Sequence, residues 1–239
     1  MNYEIIGGSF PAATITLNAG EKVFTQSGAM AWADQDIEMS TNMEGGFLKS
    51  LGRAFSGTSL MFVTHKANKD NSKITFSSSF PGTIKEFTID STHEYIAQKS
   101  AFLVADPNVN IDAVFNKKFL AGLFGGEGFV LQKFSGEGIV LAEIDGFAKE
   151  IELKENETIK VETGHVALFE ASVTYDVQAV KGFSNIFFGG QGLFLTTLTG
   201  PGKVWLQTLT AQDMAQKLIP YIPRESSVNV NSSSSSSRD

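Results

Sequence analysis

Any acid–base, nucleophilic or metal chemistry in this chain would have to draw on three histidines, His65, His93 and His165, together with Asp, Glu, Ser and Thr. The histidines form no H-x-H or H-x-x-x-H pair, and no Asp-rich loop lies beside them, so the spacing that lets a strand or helix hold a metal is missing. There is no G-x-S-x-G elbow to expose a serine. With no cysteine, thiolate catalysis, disulfides and cysteine-ligated metals are excluded. The sequence therefore predicts no catalytic residue, no cofactor and no metal, and a protein that is not an enzyme.

The carboxylates that draw attention are Asp112 and Asp176, expected on the polar face of matching strands. There they would serve solubility and an edge hydrogen bond, or alternatively a repeated contact between units. Glu143 and Asp145 flank Ile144 beside a turn and are expected at a solvated strand edge. His165 stands where Ala101 stands one copy earlier, in a turn after Thr163-Gly164. The glycine clusters at 125–128 and 189–192 lack the strand–G-x-G-x-x-G–helix context of a phosphate cradle. Gly202-Lys203-Val204 lacks the hydroxyl of a phosphate loop. The glycines are read as turns and bulges.

The elements that would position these residues repeat. A shift of 64 places Asp112 on Asp176, Phe119 on Phe183, Phe124 on Phe188, Leu131 on Leu195 and Val140 on Val204. Val109, Ile111, Ala113 and Phe115 alternate with Asn110, Asp112 and Val114; Val173, Tyr175, Val177 and Ala179 alternate likewise. Period two assigns the apolar set to a buried sheet face. A more diverged copy lies upstream, where Ile37, Met39 and Thr41 match Val109, Ile111 and Ala113. Each copy reads as a strand and turn (Glu21 to Gly28, Glu94 to Ser100, Glu157 to Gly164), an alternating strand, a Phe- and Gly-rich connection, and a further strand such as Leu60–Thr64, Phe129–Phe134 or Leu193–Leu198. Lys66 to Lys73 reads as a polar hairpin tip. The expected organisation is one all-β domain over 1–222, made of repeats at about 1–82, 83–147 and 148–210. A helix capped by Thr210 follows over 211–219, stopped by Pro220 and Pro223. The Ser-rich tail 225–239 cannot bury a core and is expected to be disordered.

The Phe-Gly connections are more apolar than solvated loops need. Phe47, Phe55, Phe119, Phe124, Phe183 and Phe188 form the candidate interaction surface. Intrachain core between copies is the plainest account of them, because a repeat cannot bury its own face alone. Contact between copies of the chain, or with a bilayer interface, is the alternative. Phe47, Leu48, Leu51 and Phe55 also share one face of a possible helix.

A net charge of −7 and a pI near 5.1 argue against a phosphate-tracking surface, so no nucleic-acid partner is expected. Residues 1–8 lack a signal peptide's basic and apolar regions. No apolar run reaches the roughly 18 residues of a spanning helix. The expectation is a cytoplasmic protein.

These copies carry a resemblance. Its residues are Ser27-Gly28-Ala29-Met30, Phe80-Pro81-Gly82 and Thr88-Ile89-Asp90, followed by Asp106-Pro107-Asn108-Val109 and Gly126-Glu127-Gly128. In the third copy they are Thr163-Gly164-His165, Tyr175-Asp176-Val177 and Gly200-Pro201-Gly202-Lys203-Val204-Trp205-Leu206-Gln207-Thr208. The chain resembles bacterial members of the altered-inheritance-of-mitochondria family over about residues 3–222. The resemblance implies a fold like that of the trp RNA-binding attenuation protein, with three β-sandwich repeats fused around a pseudo-threefold axis. It implies no catalytic residue, and bacterial relatives have no settled activity. Two departures from the family pattern, Phe55-Ser-Gly-Thr-Ser and Gly-Gly-Gln-Gly at 189–192, leave Glu127 as the one glutamate of that motif. The function expected is a non-catalytic binding or scaffold protein that self-associates as a homo-oligomer. A small-molecule or anion-binding module using a cleft between repeats, or a peripheral membrane protein, is the alternative.

Overall fold

The computed structural model describes residues 1–41, 62–114, 130–180 and 194–222. Its strands, in chain order, begin with β1 (Asn2–Ile6), β2 (Ala12–Leu17), β3 (Lys22–Gln26), β4 (Met30–Ala33), β5 (Ile37–Ser40), β6 (Phe62–Ala67) and β7 (Ser72–Ser77). Next come β8 (Gly82–Ile89), β9 (Tyr95–Gln98), β10 (Phe102–Ala105), β11 (Val109–Val114), β12 (Leu131–Gly136) and β13 (Gly138–Asp145). The last are β14 (Ala148–Leu153), β15 (Thr158–Glu162), β16 (Val166–Glu170), β17 (Thr174–Ala179), β18 (Phe194–Thr199) and β19 (Gly202–Gln207). Among the described residues one α-helix, α1 (Ala211–Leu218), follows the last strand. The protein is all-β with a short C-terminal helix, as its alternating apolar pattern predicts.

Every ladder is antiparallel. The strands form four sheets, ordered β1-β2-β7-β4, β5-β6-β3-β10-β13-β8, β11-β12-β9-β16-β19-β14 and β15-β18-β17. Two of these are six-stranded, and each is joined at its middle by strands distant in sequence: β3 with β10, and β9 with β16. The buried side chains gather into three clusters. One centres on Ile15, Ile74, Phe76 and Leu103, one on Phe87, Tyr95, Phe134 and Trp205, and one on Leu153, Phe169, Val173 and Leu198. Period two holds at Val109, Ile111, Val173 and Val177, which are buried while Asn110, Thr174 and Gln178 are exposed. It weakens toward the strand ends, where Ala113 is half-buried and Ala179, expected on the buried face, is exposed; Tyr175 is half-buried as well.

Three short strands carry the same irregularity. In β4, β10 and β16 the register against the partner strand slips between Met30 and Trp32, between Phe102 and Val104, and between Val166 and Leu168. A bulge of this kind inserts one residue and raises the local twist. Before β10 and β16, 3-10 turns at Lys99–Ala101 and Thr163–His165 turn the chain into the next strand, so His165 and Ala101 both end such a turn, as the sequence alignment of the copies places them.

The polar tip expected over Lys66 to Lys73 is shorter than that. β6 runs on to Ala67 and β7 starts at Ser72, leaving 68–71 as the turn, with Asn71 at φ 61°. Ser72 is drawn in because its hydroxyl bonds the Asp36 carboxylate and donates to the Lys69 carbonyl at 2.8 Å. At α1 the Thr210 Oγ1 accepts the Asp213 amide at 3.0 Å, the expected N-cap. The helix ends at Leu218, and Ile219–Tyr221 tighten into a 3-10 turn around Pro220. The amphipathic segment at 47–55 and the tail 225–239 lie outside the described residues.

Candidate functional site

The six phenylalanines expected to form an interaction surface, Phe47, Phe55, Phe119, Phe124, Phe183 and Phe188, all lie outside the described residues. Eight strands end the four sheets of the described residues, and two of them stand out. β4 ends the sheet β1-β2-β7-β4, and β15 ends the sheet β15-β18-β17. By contrast β10 and β16, which share β4's bulge, are interior strands flanked on both sides.

Burial follows this difference. The residue just after the bulge is Trp32 in β4, Val104 in β10 and Leu168 in β16. Trp32 is 58% exposed, whereas Val104 and Leu168 are 0% exposed. Ala31 and Ala33 are exposed as well, and β10 is buried along its whole length. On the other edge, Ile159 and Val161 of β15 pack inward against the Phe169–Leu198 cluster, while Thr158, Lys160 and Glu162 face solvent. An edge strand exposes a row of amide and carbonyl groups that template pairing with another strand. Sequence reasoning missed these edges. Period two reports which face of a strand is buried but carries nothing about which strand lies beside it.

The residues that could do chemistry are placed otherwise. Asp90 Oδ1 accepts the Thr92 amide at 2.7 Å, the Thr92 hydroxyl at 2.7 Å and the His93 amide at 2.9 Å. His93 Nδ1 contacts both Thr92 Oγ1 at 3.0 Å and Asp90 Oδ2 at 2.9 Å. A catalytic relay needs the imidazole to engage nucleophile and acid through different nitrogens. Here both contacts use Nδ1 and the hydroxyl donates to Asp90, so the group is an exposed turn lock. These donors, the Thr92 hydroxyl first and the His93 ring next, hold the Asp90 carboxyl well below the usual carboxylate range. His65 is buried with both ring nitrogens lacking a partner among the described residues, packed edge-on to Phe76 at 5.3 Å. His165 Nδ1 donates to the Gln207 carbonyl at 2.8 Å and its Nε2 stands 3.8 Å from Asp213 of α1, which ties the helix to the turn after β15. Asp112 lies opposite Lys133 and Asp176 opposite Thr197 in their ladders. Among the described residues no cluster of His and carboxylates could hold a metal.

Glu143 corrects an expectation. It is 8% exposed, not at a solvated edge, because β13 is an inner strand and Ser78 and Ser79 close over it. It accepts the Ser79 amide at 2.6 Å and the hydroxyls of Ser78 and Ser79 at 2.8 and 3.0 Å. Burial pushes its carboxyl up, and these donors pull it back. Asp145, two residues on, is pushed up to about 6, first by burial and then by the charge of Glu143. The side-chain hydrogen bonds of Glu143 all go to Ser78 and Ser79 on the chain crossing from β7 to β8, and no histidine joins them.

One cleft among the described residues has a volume of about 650 Å³ and is lined by Leu17, Glu21, Lys22, Asn71 and Asp106 among others. Its acids are already engaged. Glu21 Oε2 accepts the Asn18 amide at 2.6 Å, and Asp106 accepts the Ile139 amide at 2.9 Å and faces the Met1 amino group at 3.5 Å. Lys22 and the Met1 amino group are the cationic groups of the lining. No helix among the described residues is long and apolar enough to cross a membrane.

The ladders together define an antiparallel all-β protein. The chain belongs to the family described as Mitochondrial biogenesis AIM24, whose model matches residues 3–209, in line with the resemblance carried by the 200–208 motif. An uncharacterised protein of Streptococcus pyogenes serotype M6 is 26% identical over 224 residues, covering 91% of this chain and 89% of the relative. The crystal structure of a Streptococcus pyogenes protein is similar with a TM-score of 0.75 at 24% identity, covering 92% of this chain and 99% of that one. At that identity the likeness bears on the fold alone.

Proposed function

We propose that this protein is a non-catalytic, self-associating scaffold of the cytoplasm, built from three equivalent β-sandwich units in series. The units are β2–β7, β8–β13 and β14–β19. The equivalence rests on matching ladders. The first strand of each pairs with the last, the second and fourth with the fifth, and the bulged third with the last. Sheets shared between neighbouring sandwiches are the arrangement that the likeness to the trp RNA-binding attenuation protein fold implies. A complete threefold would add a ladder between β4 and β15, which is absent among the described strands.

The observation that carries self-association is Trp32, 58% exposed where its counterparts Val104 and Leu168 are fully covered by a neighbouring unit. Large exposed aromatics on an open edge mark an interaction surface. The partner is protein and not nucleic acid, given the net charge of −7. The structural engagement of His93, His165 and Asp90, and the burial of His65 against Phe76, support the non-catalytic part of the reading.

Size-exclusion chromatography with light scattering over a concentration series tests it. The reading expects a mass above the 25.8 kDa of one chain, rising with concentration to a plateau. A mass of one chain at every concentration contradicts it.

A further inference from the structure

We propose that β4 of one copy pairs with β15 of a second copy, rebuilding between chains the shared-sheet junction that the chain makes twice within itself. The proposal rests on the scaffold reading above and names its surface and register.

The junction has a fixed form. Where β10 meets β3, Val104 stands opposite Thr25 and Ala105 opposite Phe24. Where β16 meets β9, Leu168 stands opposite Ala97, Phe169 opposite Ile96 and Glu170 opposite Tyr95. In both, the residue after the bulge of a third strand faces the same place on the second strand of the preceding unit. The third strand without a junction is β4 and the second strand without one is β15. They are the two halves of the same joint at opposite ends of the chain. Carrying the register over places Trp32 opposite Val161, Ala33 opposite Lys160 and Asp34 opposite Ile159.

The side chains suit that register. Trp32 would be covered as Val104 and Leu168 are. Ala33 leaves room for the stem of Lys160. A lone edge lysine guards against unspecific pairing, and a partner strand that offers alanine at that place admits it. Because the two edges differ, the contact is head-to-tail, which builds a ring or an open chain of copies.

Since the chain has no cysteine, single cysteines report the pairing without background. Opposed residues of an antiparallel pair have Cα atoms about 4.5–5.5 Å apart, within disulfide reach. Full-length chains with Ala33→Cys and, on a larger tagged copy, Lys160→Cys are mixed under mild oxidation. Trp32→Cys with Val161→Cys serves as a second pair, and Ala33→Cys with Thr158→Cys as an out-of-register control. The proposal expects a mixed disulfide dimer in both in-register mixtures, at least tenfold more abundant than in the control. A doubly substituted Ala33→Cys, Lys160→Cys chain that cross-links only within itself overturns it, because the chain then closes its own threefold. An oligomer by light scattering with no in-register cross-link overturns this junction and leaves the scaffold reading standing. A monomer by light scattering overturns both.

Discussion

The Asp106 carboxylate accepts the backbone amide of Ile139 at 2.9 Å, and the same relationship joins Asp34 to Lys73 at 2.7 Å and Glu170 to Lys203 at 2.9 Å. Each carboxylate sits at the end of a bulged strand and fixes the start of the strand beside it. A charged acceptor on a backbone donor is among the stronger hydrogen bonds. Asp106→Ala should therefore lower the unfolding free energy by about 1–3 kcal/mol, and Asp106→Asn, which keeps an acceptor, by less. Urea titrations at pH 7.5 compare the three proteins. Equal midpoints would remove the staple from the account.

Gly202 lies against the chain between β16 and β17 in a conformation that disfavours a side chain. Its φ is +139°, and a Cβ there would meet Ser172 Oγ at 2.5 Å and Val173 Cγ2 at 2.8 Å. Gly202→Ala should cost about 2–4 kcal/mol through strain and displaced packing. Gly20→Ala, also at positive φ but with open space around it, should cost less. Thermal melts of the two variants would separate steric from backbone contributions.

His65 makes stability fall in acid. Burial lowers its pKa from 6.5 to about 4, so between those values the unfolded chain binds a proton that the folded chain refuses. Stability therefore rises with pH across that window, by at most about 1.4 kcal/mol per unit, and the contribution is complete above 6.5. His65→Leu should flatten this limb and be more stabilised relative to the parent at pH 5 than at pH 8. Denaturant midpoints at both values check it, and a constant difference would contradict the burial argument.

Asp145 acts in the opposite sense. Its carboxyl is raised from 3.8 to about 6, so the folded chain holds a proton in that window that the unfolded chain has released. Stability from this group is complete below about 3.8 and is lost as pH rises through about 6. Asp145→Asn should stabilise the protein at pH 7.5 by about 1–2 kcal/mol, an order-of-magnitude figure after allowing for solvent screening. The gain should vanish near pH 4. It should also steepen the acid limb from His65, because the two groups offset one another between pH 4 and 6. Parallel urea titrations of parent and variant across pH 4–8 read both effects.

The all-β class, the place of the C-terminal helix and the family were legible because each is local. Alternation at Val109, Ile111 and Val173 sets a face, Thr210 and Pro220 bound a helix, and the 200–208 motif is dense in turn residues. Glu143 was misplaced because its burial comes from Ser78 and Ser79, more than sixty residues away, and no spacing along β13 encodes that. The hairpin tip was drawn too long because polar Ser72 and Lys73 still form a strand when Asp36 and Asp34 supply partners. The exposure of Trp32 escaped for the same reason: its counterparts Val104 and Leu168 are just as apolar, and only strand neighbours distinguish them.

Amide hydrogen exchange of the full chain, read by mass spectrometry at low and high protein concentration, tests most directly whether the chain carries an open joint that a second copy fills. The account predicts that peptides over Met30–Ala33 and Thr158–Glu162 exchange quickly in dilute solution and slow by tenfold or more when concentrated. Phe102–Ala105 and Val166–Glu170 should stay slow throughout. Slow exchange of β4 and β15 at every concentration, or fast exchange of both at every concentration, would contradict it.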